Sequence, residues 1–279
     1  KTLTLTAVFQ ANSLNYGEGT ANISELKKFH RGNGDVYTFA SRQSLRYDIV
    51  RMGNEFFGWN LDTVDKSKQV IQFREDVTIA DSVEMDLFGY LKTAKKSRKR
   101  SAVARLGHAL SLEPYKNDIE FLNNMGLAER INDTPNLANL EQHQSHYAYS
   151  LSVDLHKVGV DGEIELPMDE RKERIIQLLD ILKVLYRDIK GRRENLTPLF
   201  VIGGVYDVSN PFFMGRIHLD KSASGWKIDV ASLQEATQLT WQGRSIIEDT
   251  VIGCAKGWVD NEEELNAAFN GKVHSVDAA

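Results

Sequence analysis

From Tyr147 to Leu155 the chain alternates without a break. Tyr147, Tyr149, Leu151, Val153 and Leu155 fall on one side, and Ala148, Ser150, Ser152 and Asp154 on the other. This period of two specifies a β-strand with one apolar face, and such a face is stable only in a sheet covered by a second layer. The pair Tyr147 and Tyr149 reads as packed core. A cover follows in the sequence: Met168 to Lys190 reads as a long helix ended by Gly191, with Ile175, Leu178, Leu179, Leu182 and Leu185 tracing a broad apolar stripe that must lie on a sheet.

Earlier in the chain, Thr2 to Gln10 places Leu3, Leu5, Ala7 and Phe9 on one side and mostly threonine on the other, which predicts a half-buried strand. The polar stretch Asn12-Ser13-Leu14-Asn15-Tyr16-Gly17-Glu18-Gly19 suits a tight loop that brings backbone close to a ligand, and equally a plain connection. A basic insert with Lys27, Lys28, His30 and Arg31 precedes a strand-like Val36 to Ala40. Ser41 is then a good N-cap for a helix whose apolar positions Leu45, Ile49, Met52 and Phe56 recur at helical spacing, with a stop near Gly58. Arg42 and Arg46 share another face in its first turns, where the helix dipole makes cations mildly unfavourable. A bound phosphate removes that conflict: free backbone N–H groups, the hydroxyls of Ser41 and Ser44 and two guanidinium groups form a cradle. The alternative is a surface helix whose arginines pair with nearby carboxylates.

Strands are expected at Val70 to Phe73 and at Val83 to Leu87, the second ending at Gly89. Lys92, Lys95, Lys96, Arg98, Lys99, Arg100 and Arg105 follow without an intervening acid, which reads as a phosphate-contacting arm, the alternative being a solvated flexible loop. The run matters because the whole chain carries a net charge of −5, which by itself counts against nucleic-acid binding. Leu106 to Leu112 reads as one short strand. Residues 113–146 form a long polar insertion with a helical turn expected at Ile119 to Met125, and long insertions in compact domains are usually functional loops or mobile segments. His143 and His146, three apart, and His108 lack the cysteines or acids that would complete a metal site, so neither a metal nor a cofactor is expected. Leu199 to Val208 is an apolar strand interrupted by Gly203-Gly204, which indicates a bulge or close backbone approach. Strands near Arg216 to Asp220 and Lys227 to Val230 and an acidic helix from Asn261 to Asn270 complete the reading.

The single cysteine, Cys254, excludes an intramolecular disulfide and fits a reducing, cytoplasmic setting. No apolar run approaches a membrane span, and Leu3 to Gln10 alternates like a strand instead of forming a signal segment. The order strand, helix, strand pair, helix, strand gives β-α-β-β-α-β, an α+β chain of ferredoxin-like (RNA-recognition-motif) type swollen by insertions. The aromatic signature with which that fold stacks bases on its sheet is missing, so base-specific reading there is not expected.

Five segments in consistent order resemble one family. They are Asn12-Ser13-Leu14-Asn15-Tyr16-Gly17, Ser41-Arg42-Gln43-Ser44-Leu45-Arg46, Asp86-Leu87-Phe88-Gly89, Gly107-His108-Ala109-Leu110-Ser111 and His146-Tyr147-Ala148-Tyr149-Ser150, with Gly203-Gly204 extending the match. The chain resembles the RAMP-type backbone subunit of a type I CRISPR surveillance complex (Cascade), of the DevR-type autoregulator subfamily associated with subtype I-B. The resemblance implies one domain over 1–279, with a palm at about 1–11, 36–91 and 147–208. It further implies a basic arm at 92–105, a thumb hairpin within 113–146 and a C-terminal extension at 209–279. It implies noncatalytic, sequence-independent binding of guide CRISPR RNA, which pairs with a target DNA strand, and stacking against copies of the same chain. Other Cascade subunits are the implied partners: the large subunit, the foot subunit and the guide-processing endonuclease. The implied RNA-contacting residues are Asn12, Ser13 and Asn15; Ser41, Arg42, Gln43, Ser44 and Arg46; Arg98, Lys99, Arg100 and Arg105; and His108, His146, Gly203 and Gly204. A backbone subunit must accept any spacer, which agrees with phosphate contacts in place of base contacts.

Two other functions fit this chain class. A RAMP ribonuclease would use an acidic loop residue such as Glu18 or Asp35, yet neither has a partner that marks it as a general acid or metal ligand. A DNA-binding transcriptional autoregulator would need a recognition element, and no helix-turn-helix or zinc signature is present.

Overall fold

The computed structural model describes residues 1–67, 70–93 and 97–279. Its centre is a mixed sheet built around β1 (Thr2–Asn12). In chain order, the elements that follow are β2 (Lys28–His30), β3 (Val36–Ala40), α1 (Arg42–Phe57) and α2 (Val83–Phe88). Next are the hairpin β4 (Tyr90–Lys92) and β5 (Arg98–Arg100), then β6 (Ala104–Leu106) and β7 (Ala109–Ser111). A second hairpin, β8 (Asp118–Asn123) and β9 (Leu137–Gln142), leads into β10 (Gln144–Asp154) and α3 (Met168–Lys183). A third, β11 (Tyr186–Ile189) and β12 (Arg192–Asn195), leads into β13 (Phe200–Tyr206). The C-terminal part adds α4 (Val230–Thr237), β14 (Thr250–Cys254), α5 (Glu262–Ala268) and β15 (Val273–His274).

The sheet order is β15-β14-β13-β1-β10-β7-β3-β2, with β6 also paired to β10. β1 lies antiparallel to both neighbours, Leu5 opposite Leu151 of β10 and Gly203 of β13. This register points Leu5, Ala7, Phe9, Tyr147, Tyr149 and Leu151 at the layer formed by α1 and α3. There they share one core with Leu45, Ile49, Met52, Leu178 and Ile181. Leu45, Ile49 and Met52 are fully buried, and each such side chain contributes about 1.5–3 kcal/mol. The opposite face is covered by C-terminal residues: Val8, Ala148, Phe200 and Ile202 pack with Ile228, Leu233, Leu265 and Phe269. The threonine side of β1 is buried as well, not half exposed, with Thr4 donating to the Ser152 hydroxyl at 3.3 Å.

Several expected elements change. Val83 to Leu87 is a helix, not a strand: the Ser82 side chain caps it by accepting the Met85 N–H, acids occupy its first turn, and Met85, Leu87 and Phe88 are buried. The strand position beside β10 is filled by β6 and β7. They are two strands where one was expected, because the chain steps aside at Gly107-His108. Gly107 still donates to the Ser150 carbonyl at 2.8 Å, and a side chain there would press on the Ser150 hydroxyl.

The long helix stops at Lys183, seven residues early by number, and Tyr186 to Asn195 turn back as a hairpin. Its two-residue loop places Lys190 and Gly191 both at positive φ, 50° and 78°, the geometry that matches the twist of paired strands. Gly191 is therefore a turn residue and not a helix stop. Ile119 to Asn123 is strand, and the helical turn follows at Met125–Ala128. The stretch at 209–279 supplies an unforeseen helix, α4, and two strands of the main sheet.

Candidate nucleic-acid interface

α1 begins as its sequence predicts. Ser41 is extended and its hydroxyl accepts the Ser44 N–H at 3.2 Å, while Gly58 closes the helix in the left-handed region at φ 68°. At this N-terminus Arg42, Gln43 and Arg46 line a cleft with Phe88 of α2 and Ala102, Ala104, Arg105 and Leu106, with a volume of about 440 Å³. Three expected cations, Arg42, Arg46 and Arg105, thus meet in one place.

Their settings differ. Arg46 bonds Glu84 at 2.6 Å and lies over the Phe88 ring at 5.2 Å, so the misread segment 83–88 is what positions it. Arg105 bonds Asp154 at 2.9 Å. Burial pushes the Asp154 carboxyl up, but bonds from Arg105 and Lys157 outweigh it and hold the pKa below the usual value. Arg42 is exposed, and among the described residues no carboxylate pairs with it. Part-exposed ion pairs are worth about 0–1 kcal/mol, so Glu84 and Asp154 orient their arginines without strongly opposing a phosphate.

The first-turn donors are mostly engaged. Arg42 N–H donates to His108 Nδ1 at 3.0 Å, Ser44 N–H to Ser41, and the Ser44 hydroxyl to the Ser41 carbonyl at 2.7 Å. Among the described residues, Gln43 N–H is the first-turn donor left without a protein acceptor. The cradle therefore consists of one amide and three guanidinium groups, and the serine hydroxyls shape it from within. His108 acts beneath the helix: burial first, then the charges of Arg42 and Lys27, lower its pKa and favour the neutral ring whose Nδ1 accepts.

The loop after β1 is tied to α1 by Arg187, which donates to the Leu14 carbonyl at 2.9 Å, the Ser44 carbonyl at 3.4 Å and Asp48 at 2.7 Å. Within the loop Ser13 is buried at φ 53°, and its hydroxyl meets Asn12 Oδ1, Gln142 Oε1 and the His143 N–H at 2.7, 2.8 and 2.9 Å. Ser13 thus fastens the root of the β8–β9 hairpin and offers no exposed group. Asn12 donates its backbone N–H to Glu194 at 3.0 Å, and Asn15 is buried with Oδ1 unpartnered.

The basic run divides. Arg100 is half-buried, its side chain held by Asp86 at 2.6 Å and the Val160 and Lys157 carbonyls, and Lys92 is buried on the Val77 carbonyl. Neither side chain extends into solvent, because both fasten the β4–β5 hairpin to the body. Arg98 is exposed beside Glu75 at 2.7 Å, and Lys99 is exposed. Lys95 and Lys96 lie outside the described residues. His146 is buried as well: Nδ1 meets Glu113 at 3.0 Å and Nε2 accepts from the Trp258 indole at 3.3 Å. His143 is buried against the Thr38 hydroxyl at 2.7 Å. Gly203 and Gly204 run unbulged beside β1, and a side chain at either would collide with the Thr4 or Asp249 carbonyl. Close backbone packing inside the sheet accounts for both glycines. Asp35 is held in a turn by Asn33 at 2.7 Å, and Glu18 is exposed.

Sequence reasoning missed the β11–β12 hairpin, which carries Arg187, Lys190, Arg192 and Arg193 beside the loop. The Lys190-Gly191 dipeptide between basic residues was the available signal, masked by the apolar stripe of α3.

No curated protein matches the sequence. The fold is similar to a chain of a structure described as "CRISPR RNA-guided surveillance complex, pre-nicking", at TM-score 0.62 and 14% identity, covering 99% of this chain and 96% of that one. A second, described as "CRISPR RNA-guided surveillance complex", matches at TM-score 0.59 and 15% identity, covering 98% and 94%. At these identities the likeness is one of fold. The family model of the CRISPR-associated negative auto-regulator DevR/Csa2 matches residues 3–223, and the chain is a member of that family.

Proposed function

We propose that this chain is a noncatalytic backbone subunit of a type I CRISPR surveillance complex, holding guide RNA by its phosphates without regard to sequence. The observation that carries the reading is the convergence of Arg42, Arg46 and Arg105 with the free Gln43 N–H in one cleft at the start of α1. Three cations and an amide at a helix N-terminus suit a polyanion and select no base. The palm is read as ferredoxin-like: α1 connects β1 to the β6/β7 pair, α3 connects β10 to β13, and the strands lie in the order β13-β1-β10-β6/β7. The β8–β9 hairpin, whose first strand is exposed throughout, is read as the thumb that folds over the guide. On this reading the chain is cytoplasmic, stacks on copies of itself, and works with the large, foot and guide-processing subunits to present the guide to target DNA. The family's description as auto-regulators favours a second reading, direct binding of duplex DNA.

The test replaces Arg42 and Arg46 together with alanine. Affinity for two single-stranded RNAs of unrelated sequence is expected to fall by the same factor in both, with the fold retained by circular dichroism. For about four to six phosphate contacts, the wild-type log K against log salt slope is expected at roughly −3 to −4. Unchanged affinity in the variant refutes the assignment, and preference for duplex DNA over both RNAs favours the regulator.

A further inference from the structure

Four cations stand on the β11–β12 hairpin, and three are matched by carboxylates. Arg187 bonds Asp48 at 2.7 Å, Arg192 bonds Glu194 at 3.2 Å and Arg193 bonds Asp188 at 2.8 Å. Lys190 is the exception. It is exposed, and among the described residues no carboxylate pairs with it. Its ammonium lies 5.3 Å from the centre of the Tyr16 ring and 3.3 Å from the Ser24 hydroxyl. The Tyr16 hydroxyl in turn donates to the Glu141 carbonyl at 3.0 Å, so the ring that steadies the lysine is itself anchored.

The backbone is costly for this residue type. Lys190 sits at φ 50° in a two-residue turn whose first position favours asparagine or glycine. A side chain held in a disfavoured conformation, with its charge uncompensated, is the pattern of a functional position.

The location is informative as well. Arg187 on the same hairpin reaches both the Leu14 carbonyl and the Ser44 carbonyl, so it ties the hairpin, the loop after β1 and the start of α1 together. Arg42 at the start of α1 and Lys190 on the hairpin each have no carboxylate partner among the described residues. We propose that Lys190, steadied by Tyr16 and Ser24, is a second contact for the sugar-phosphate backbone of single-stranded RNA, separate from the cleft at Arg42. This rests on the RNA-binding reading above. An ammonium is a point charge that binds phosphate without the planar geometry of a guanidinium, so the contact fits a backbone whose local conformation varies with sequence.

The experiment measures affinity of the protein for two unrelated single-stranded RNA oligonucleotides by fluorescence anisotropy over a salt series. Lys190→Asn suits the left-handed turn and removes the charge. It is expected to make the log K against log salt slope shallower by about 0.7, equally for both RNAs, without lowering the melting temperature. Lys190→Arg should keep the wild-type slope. If Lys190→Asn disturbs folding, Lys190→Gly, which the turn also accepts, gives the same reading. An unchanged slope in the neutral variant, alongside a shallower slope for Arg42→Ala, overturns the role of Lys190 and leaves the RNA reading standing. Absence of RNA binding by the wild type overturns both.

Discussion

Asp86 is the perturbation whose size the geometry sets most directly. Its side chain is fully buried and accepts the Gly159 N–H at 2.9 and 3.0 Å, Arg100 at 2.6 Å and Arg174 at 2.8 Å. Both arginine side chains are nearly buried, at 7% and 4% exposure. Asp86→Ala removes the shared carboxylate. Arg174 keeps Glu170 at 2.7 Å, whereas the nearest remaining carboxylate of Arg100 is Asp161 at 3.8 Å. Breaking a buried pair from one side costs about 3–5 kcal/mol, and with one arginine still partnered the lower half of that range is expected. Asp86→Asn keeps the shape and an acceptor, so about 1–3 kcal/mol is expected for the lost charge-assisted bonds. The assay is urea unfolding, in which the midpoint should fall with little change of slope. A cycle combining Asp86→Ala with Arg100→Met should be non-additive, since the second change removes the charge stranded by the first. A loss within about 0.5 kcal/mol for Asp86→Ala, the range of ordinary surface substitutions, would refute the account of this hub. Because α2 also carries Glu84 and Phe88, which hold Arg46, the same variant should, on the proposed function, loosen RNA binding before it unfolds the chain.

Two further outcomes are expected. Gly203→Ala drives a methyl group into the Thr4 carbonyl and the Leu5 backbone, so it should destabilise by about 1–3 kcal/mol or more in urea unfolding while leaving RNA affinity of the folded fraction unchanged; selective loss of affinity would instead make this glycine part of the ligand site. The lowered pKa of His108 favours the neutral ring in the folded state, so its contribution is present above the ordinary value of 6.5 and is lost as pH falls below 6.5 toward the lower folded value. Stability measured from pH 7.5 to 5.5 should therefore decline more in the wild type than in His108→Ala, which itself loses about 0.5–1.5 kcal/mol at pH 7.5 with the Arg42 N–H acceptor. Parallel pH profiles would remove His108 from the cap.

What the amino-acid sequence determined by itself is the local part of the design. The alternation of β1 and β10, the Ser41 cap, the apolar spacing of α1 and its Gly58 stop are written in neighbouring residues, and the structure follows them. Arg42 and Arg46 were legible for the same reason, since their spacing on a capped helix fixes a shared face. The tertiary structure decided what depends on distant partners. Val83 to Leu87 alternates as well as a short strand would, yet it is a helix buried through Asp86, whose partners Gly159 and Arg174 come from far along the chain. The apolar stripe of α3 continues to Leu185 in sequence, but pairing of Tyr186 with Asn195 turns the chain back first. The basic run shows the limit most clearly. Charge alone does not separate Arg100 and Lys92, drawn inward by a carboxylate and by backbone carbonyls, from Arg105, which reaches the cleft. Burial of a charge is settled by the acceptors that folding brings to it, and those acceptors lie elsewhere in the sequence.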